Sequence, residues 1–120
     1  MPLKKYRLKE KEFEEALKKG KGFREDFLVL KTRKNDLSKI RVGLLVSKKI
    51  SKKAVQRNKV RRRLKELVKL KLEKLKEGQD IIFIALPGLE KKNFQQMENT
   101  VDKIFLKAKI MKDESNFSDI

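Results

Sequence analysis

The chain has 120 residues, with 34 Lys and Arg against 17 Asp and Glu, a formal charge of +17, and neither histidine nor cysteine. That length suits one domain. The two missing residue types exclude a disulfide framework, thiolate chemistry, cysteine-based zinc sites and histidine as general base, so protein-borne catalysis would rest on carboxylates, Lys, Ser, Thr or the lone Tyr6.

The stretch from Lys9 to Lys19 reads as a short amphipathic helix with Phe13, Ala16 and Leu17 on one face, stopped by Gly20. Phe27 to Leu30 is an apolar run that suits a strand, closed by a polar turn from Lys34 to Asp36. Ile40, Val42, Leu44 and Val46 then alternate at period two, which predicts a second strand whose other face carries Arg41, Gly43 and Leu45. From Ala54 to about Lys76 the period becomes helical, with Val60, Leu64, Leu67, Val68, Leu72 and Leu75 on one stripe and Gly78 beyond its end. Asp80 to Leu86 is apolar on both faces, as a central strand is, and Pro87-Gly88 closes it. A last helix uses Phe94, Met97, Val101, Ile104, Phe105 and Ala108 as its buried stripe. Residues 111–120 read as a polar, frayed tail, which leaves 1–110 as the folded domain. Helices and strands in this order predict an α+β fold with three helices packed on a small sheet.

The charge is unevenly placed. Between Asp36 and Glu66 there are 12 basic residues and no acidic one, so the rest of the chain has a net charge of only +5. A merely soluble face would mix signs, and this one-signed stretch points to a polyanion: nucleic acid first, an anionic membrane surface second. At 100° per residue, Arg57, Asn58, Arg61, Arg62, Lys65 and Lys69 cover about 140° of helix surface beside the apolar stripe, giving one face for a core and an adjoining one for anions. Arg63 points away and reads as solvated. Ser47-Lys48-Lys49 opens the basic connection before the helix, and the backbone N–H groups at its start add a phosphate-binding element. Met1 to Arg7 holds no apolar run of the signal-peptide kind, and no segment approaches the roughly 20 apolar residues of a membrane span, so a soluble cytoplasmic protein is expected.

Ser47-Lys48-Lys49 followed by the Arg-Asn pattern of Ala54-Val55-Gln56-Arg57-Asn58-Lys59-Val60-Arg61-Arg62-Arg63-Leu64-Lys65 closely resembles the signature of the protein subunit of bacterial ribonuclease P. The Arg7-Leu8 opening, Phe13 on a first helix ending in a Lys-Gly pair, Arg41-Val42-Gly43-Leu44, and Asp80-Ile81-Ile82 after the long helix fit the same family, so that the resemblance runs from about residue 3 to 110. It implies a two-layer α/β sandwich with a small mixed sheet, three helices and a left-handed β-α-β crossover, a fold also found in a ribosomal protein domain. The implied function is that of an accessory subunit in a ribonucleoprotein endonuclease, a hydrolase that removes the 5′ leader of precursor tRNA. The chemistry and its Mg2+ are then expected in the RNA subunit, with no catalytic or metal-binding residue in the protein. The implied partners are ribonuclease P RNA and precursor tRNA, with no membrane and no obligate protein partner.

Carried onto this sequence, Arg57, Asn58, Arg61, Arg62 and Lys65 would face the catalytic RNA, with Lys48 and Lys49 near the junction with substrate. Phe13, Leu17, Phe27 and Lys31 would line the leader cleft. Members commonly have an aromatic at the position of Leu30 or Lys31 and another near Leu17, and this chain has neither. Phe13 reads equally well as core, and Asn58 as a local hydrogen-bonding residue. Two other readings fit the charge: a structural RNA-binding protein of ribosomal or nucleoid type, and a protein-only nuclease in which Asp26, Asp36 and Asp80 converge on metals.

Overall fold

Alternation along one strand organises the molecule. The computed structural model describes residues 7–112. In chain order they form α1 (Glu10–Lys19), β1 (Lys21–Glu25), β2 (Leu28–Lys34), β3 (Ile40–Leu45), α2 (Ala54–Lys71), β4 (Gln79–Ala85) and α3 (Phe94–Ala108), with short 3-10 turns at Leu72–Lys74 and Leu89–Lys91. The sheet order is β1-β2-β4-β3; β4 runs antiparallel to β2 and parallel to β3, so this is an α+β fold of three helices on a small sheet, and the sheet is mixed as the resemblance implies. The β3–α2–β4 connection is the parallel crossover to which the resemblance assigns a left hand.

Successive side chains of β4 point to opposite faces. Ile81, Phe83 and Ala85 enter the main core with Leu28, Leu30, Ile40 and Val42 from the sheet, Val60, Leu64, Leu67 and Val68 from α2, and Met97, Val101, Ile104 and Phe105 from α3. Each fully buried large side chain there contributes about 1.5–3 kcal/mol. Ile82 points the other way and joins Leu8 and Ala16 in a second, smaller cluster flanked by Phe13, Leu17 and Ile84. The sandwich of sheet against α2 and α3 thus carries α1 across its other face, and α1 covers only part of it.

Where structure and sequence reading differ, local causes are visible. Strand β1 escapes the pattern because Lys-Gly-Phe-Arg-Glu has one apolar residue; it is an edge strand held by register with β2, and only Phe23 and Glu25 are partly buried. Phe27 belongs to the two-residue turn of that hairpin rather than to a strand, beside Asp26 at φ 54°. Helix α2 stops at Lys71, whose φ of −111° and ψ of 0° tighten the chain into a 3-10 turn that buries Leu75. The expected tail is shortened at its start. Met111 pairs with Leu75, the Lys112 N–H donates to the Lys74 carbonyl at 2.7 Å, and the Lys76 N–H donates to the Ile110 carbonyl at 2.7 Å. The folded unit therefore runs through 112, while residues 113–120, with Phe117, and Tyr6 lie outside the described residues.

Ion pairs fasten the helices. Asp80, 3% exposed, accepts from Arg41 Nε at 2.7 Å and Nη2 at 2.8 Å and from Asn35 Nδ2 at 2.8 Å, and Arg41 Nη1 reaches on to Glu12 of α1 at 3.3 Å. A second tether joins Glu15 of α1 to Arg33 of β2 at 2.9 Å. On the opposite side Lys71 of α2 bonds Glu98 at 3.1 Å and Asp102 at 2.8 Å on α3; burial opposes its charge, but the two carboxylates outweigh burial and hold its pKa above the ordinary lysine value.

Removing one partner of a buried pair strands the other charge. Asp80→Ala is expected to cost about 3 kcal/mol in urea denaturation, and Asp80→Ala combined with Arg41→Ala to cost less than the sum of the two single changes. Arg33, through its hydrogen bond and then its charge, lowers the Glu15 pKa below 4.5, so this tether is present at neutral pH and lost as pH falls through the lowered value. An NMR titration should give Glu15 a midpoint below 4.5, moving upward in Arg33→Ala.

Candidate nucleic-acid interface

The residues before α2 are shaped by two serine turns. Ser47 Oγ accepts from the Lys49 N–H at 3.2 Å and Ser51 Oγ from the Lys53 N–H at 3.1 Å, while Ile50, 5% exposed, pins the loop to the main core. Lys48 and Lys49 are left exposed. Lys53 is the N-cap of α2 and makes no side-chain cap, and the first turn has no acidic residue. Arg57 folds back instead, donating from Nη1 to the carbonyls of Ser51 at 2.9 Å and Lys52 at 3.0 Å, which fixes the loop against the helix.

Arg61 and Asn58 act together. Asn58 Oδ1 accepts from Arg61 Nη1 at 2.9 Å, so Asn58 orients a guanidinium one turn along the same face. Arg62 and Lys65 are exposed beside them. Arg63 departs from the solvated reading: its Nη1 donates to the Lys92 carbonyl at 3.0 Å and ties α2 to the approach to α3.

The decisive electrostatic fact is a division of labour among cations. Arg33, Arg41, Lys71, Lys92 and Lys107 each have a carboxylate partner. Among the described residues, Lys48, Lys49, Arg57, Arg61, Arg62 and Lys65 have none within ion-pair distance. Such a one-signed face repels itself until an anion neutralises it.

This stripe also borders a groove. A concavity of about 530 Å³ between α1, β3 and α2 is lined by Phe13, Val42, Gly43, Leu44, Arg61 and Lys65, with Arg7, Leu8 and Glu10 at its rim. The ring of Phe13 lies against the strand because residue 43 is glycine: a Cβ there would stand 2.6 Å from Cδ2 and Cε2 of the ring. Phe13 is half-buried, so it is both a member of the α1 cluster and part of the groove wall.

Along α1, Leu17 packs on the same cluster, and Lys31 Nζ donates to the Leu17 carbonyl at 2.8 Å, capping the end of the helix. Leu30, by contrast, is fully buried in the main core, so of the two positions only Lys31 faces α1. Beyond the helix, the cross-strand row of Val29, Ile84 and Leu45 supplies a partly accessible apolar floor, with Leu45 38% exposed. Ile84 and Leu45 escape a sequence reading as floor residues because their membership depends on strand register, which the sequence does not display.

Phe27 does not join this set. It packs against the main core, covers Gly88, whose φ is 116°, and lies under Lys92 Nζ at 5.3 Å from its ring centroid. The three acids of the nuclease reading do not gather in one place. Asp80 is held by Arg41, Asp26 is in the β1–β2 turn and Asp36 follows the opposite end of β2, a strand of seven residues. That separates Asp26 from Asp36 by roughly 20 Å, far beyond the ~4 Å spacing of a two-metal site.

A family model described as Ribonuclease P matches residues 1–109. A ribonuclease P protein component of Clostridioides difficile is 37% identical over 103 residues, covering 85% of this chain and 90% of that protein. One from Clostridium botulinum is 39% identical over 103 residues, covering 85% and 92%. The solved structure of the Staphylococcus aureus RNase P protein superposes with a TM-score of 0.81 at 30% identity, covering 89% of this chain and 98% of that one.

Gly43→Ala is expected to displace the Phe13 ring, cost about 1–3 kcal/mol through overpacking, and weaken binding of a short single-stranded oligonucleotide. Thermal denaturation and fluorescence anisotropy measure the two effects.

Proposed function

The chain belongs to the ribonuclease P protein family, whose function is tRNA 5′ processing, and from that membership we propose how its surface divides the work within the holoenzyme. As a component of that ribonucleoprotein it associates with ribonuclease P RNA. Arg57, Asn58, Arg61, Arg62 and Lys65 grip the catalytic RNA, Lys48 and Lys49 lie near its junction with substrate, and the cleft of Phe13, Leu17 and Lys31 holds the 5′ leader of precursor tRNA. The observation that carries this reading is the groove itself: Arg61 and Lys65, from the unpaired stripe, line the same concavity as Phe13.

The arrangement suits single-stranded RNA, which is held by aromatic faces inside positive grooves at about 1–3 kcal/mol per stacked base. Phe13 supplies an aromatic face in this groove; Leu17 and the Val29, Ile84 and Leu45 row supply apolar contact; the remaining N–H groups of Lys31 attract phosphate. Arginine forks bind phosphate oxygens bidentately, which orients the RNA as well as attracting it. Bond cleavage belongs to the RNA, with Mg2+ supplying the Lewis acid at the RNA active site. Asp26 lies at the other end of β2 from Asp36 and Asp80, and Asp80 is already held by Arg41 and Asn35, which supports this assignment because the three do not converge on one site. No helix among the described residues is long and apolar enough to cross a membrane. The cytoplasm, where tRNA precursors are made, is the compartment that fits this work.

Reconstitution tests the reading. Added to a bacterial ribonuclease P RNA at low magnesium, the protein should restore precursor cleavage and tighten substrate binding as the leader lengthens. No effect on either quantity favours a structural RNA-binding role, and site-specific cleavage by the protein alone overturns the assignment of chemistry to RNA. Arg61→Ala with Arg62→Ala should keep the fold, by circular dichroism, while lowering the salt slope of RNA binding by up to about 0.9 for each duplex phosphate that is no longer neutralised.

A further inference from the structure

A second basic groove lies at the other end of the sheet, where β1 and β4 begin and β2 and α3 end. It has a volume of about 640 Å³ and shares no lining residue with the first groove. Its lining holds six basic residues, Lys19, Lys21, Arg33, Lys34, Lys76 and Lys109, against the single acid Glu77, a net of +5. Outside the stretch between Asp36 and Glu66 the whole chain has a net charge of +5. This groove therefore contains all of the remaining excess, and the other charges of the chain balance.

That distribution is not what a solvated face gives. Of the six, only Arg33 has a carboxylate partner among the described residues, Glu15. Lys76 Nζ donates to the Lys109 carbonyl at 3.2 Å, covering the negative end of α3 where an anion would otherwise be repelled. Lys19, Lys21 and Lys34 are exposed and in no ion pair among the described residues. The groove also contains an aromatic, the half-buried Phe23, with Lys21 Nζ 5.5 Å from its ring centroid.

We infer that this groove is a second binding site for single-stranded RNA, independent of the first, and that Phe23 is its stacking face. A base arriving on Phe23 exchanges a cation–π contact for a stronger base stack, and frees the Lys21 ammonium to meet the adjoining phosphate. Lys34 and Lys19 extend the positive track on either side. Helix α1, tethered by Glu12 and Glu15, lies between the two grooves, so both can be filled at once and one protein can hold two RNA segments. The inference does not rest on the leader reading, because it concerns different residues and a different end of the fold.

The test uses the full chain and a short oligouridylate carrying 4-thiouridine. Photocrosslinking should mark Phe23 and its neighbours in the Lys21–Arg24 and Thr32–Lys34 peptides as well as the α2 peptides, and native mass spectrometry should count two oligonucleotides per protein. Lys21→Glu with Lys34→Glu should reduce the count to one and lower the salt slope by about 0.7 for each single-strand phosphate released from the protein, while Arg61→Ala with Arg62→Ala leaves the Phe23 crosslink in place. Lys21→Ala with Lys34→Ala serves if the charge reversal disturbs folding. Crosslinks confined to α2 and the first groove, or an oligonucleotide count and salt slope that Lys21→Glu with Lys34→Glu leaves unchanged, overturn the inference whatever the outcome of the reconstitution.

Discussion

Both faces of β4 are covered, and this one strand therefore couples two cores that would otherwise be independent. Ile81, Phe83 and Ala85 fix the sheet to α2 and α3, and Ile82, between them in sequence, fixes α1 to the opposite side. A one-residue slip of β4 would exchange the two sets and spoil both. Phe83 against Phe105, with centroids 5.6 Å apart, and the bidentate Arg41–Asp80 pair at the start of the strand hold the register from its middle and its end. The groove depends on this arrangement, because Phe13 and Gly43 come together only if α1 lies across β3 and β4 at a fixed height.

Charge performs two separate tasks on this framework. One set of cations is paired with carboxylates and fastens elements together: Arg41 and Arg33 tether α1, Lys71 joins α2 to α3, and Lys107 joins α3 to Glu25 of β1 at 2.6 Å. The cations of the α2 stripe and of the loop before it are unpaired among the described residues and mostly exposed, and two of them are held in place by neutral hydrogen bonds, Asn58 for Arg61 and backbone carbonyls for Arg57. Neutral partners orient a guanidinium without neutralising it, and its charge stays available to phosphate. Among the described residues no carboxylate lies within ion-pair distance of these side chains.

Much of this is readable from the residues. The central strand, the three helices and the basic stripe follow from period two, period 3.6 and the one-signed run, and the Arg-Asn spacing carries the family. What escapes does so for physical reasons. Strand β1 has one apolar side chain and exists through pairing with β2. Phe27 reads as the first residue of a strand, but a left-handed Asp26 turns the chain one step earlier and sends its ring to the main core. Arg63 reads as solvated because its partner is a carbonyl 29 residues away, on a segment that no helical wheel contains. The meeting of Phe13 with Arg61 and Lys65 is equally out of reach, since it joins three elements in space. The second groove is hidden for the same reason: its lysines are scattered from residue 19 to 109, and only the folded chain gathers them.

The two long helices begin differently. Helix α3 opens with a complete capping box, Asn93 accepting from the Gln96 N–H at 2.8 Å and Gln96 from the Asn93 N–H at 2.9 Å, whereas α2 opens at Lys53 with no side-chain cap. The first amides of any helix lack partners within it, and those of α2 are surrounded by lysines rather than by a capping oxygen. A phosphate oxygen bound at that end would do for α2 what Asn93 does for α3. Ligand and cap would then be the same group, so binding of a phosphate and the last local step of folding would be one thermodynamically linked event, with the first turn of α2 gaining amide-exchange protection in proportion to occupancy.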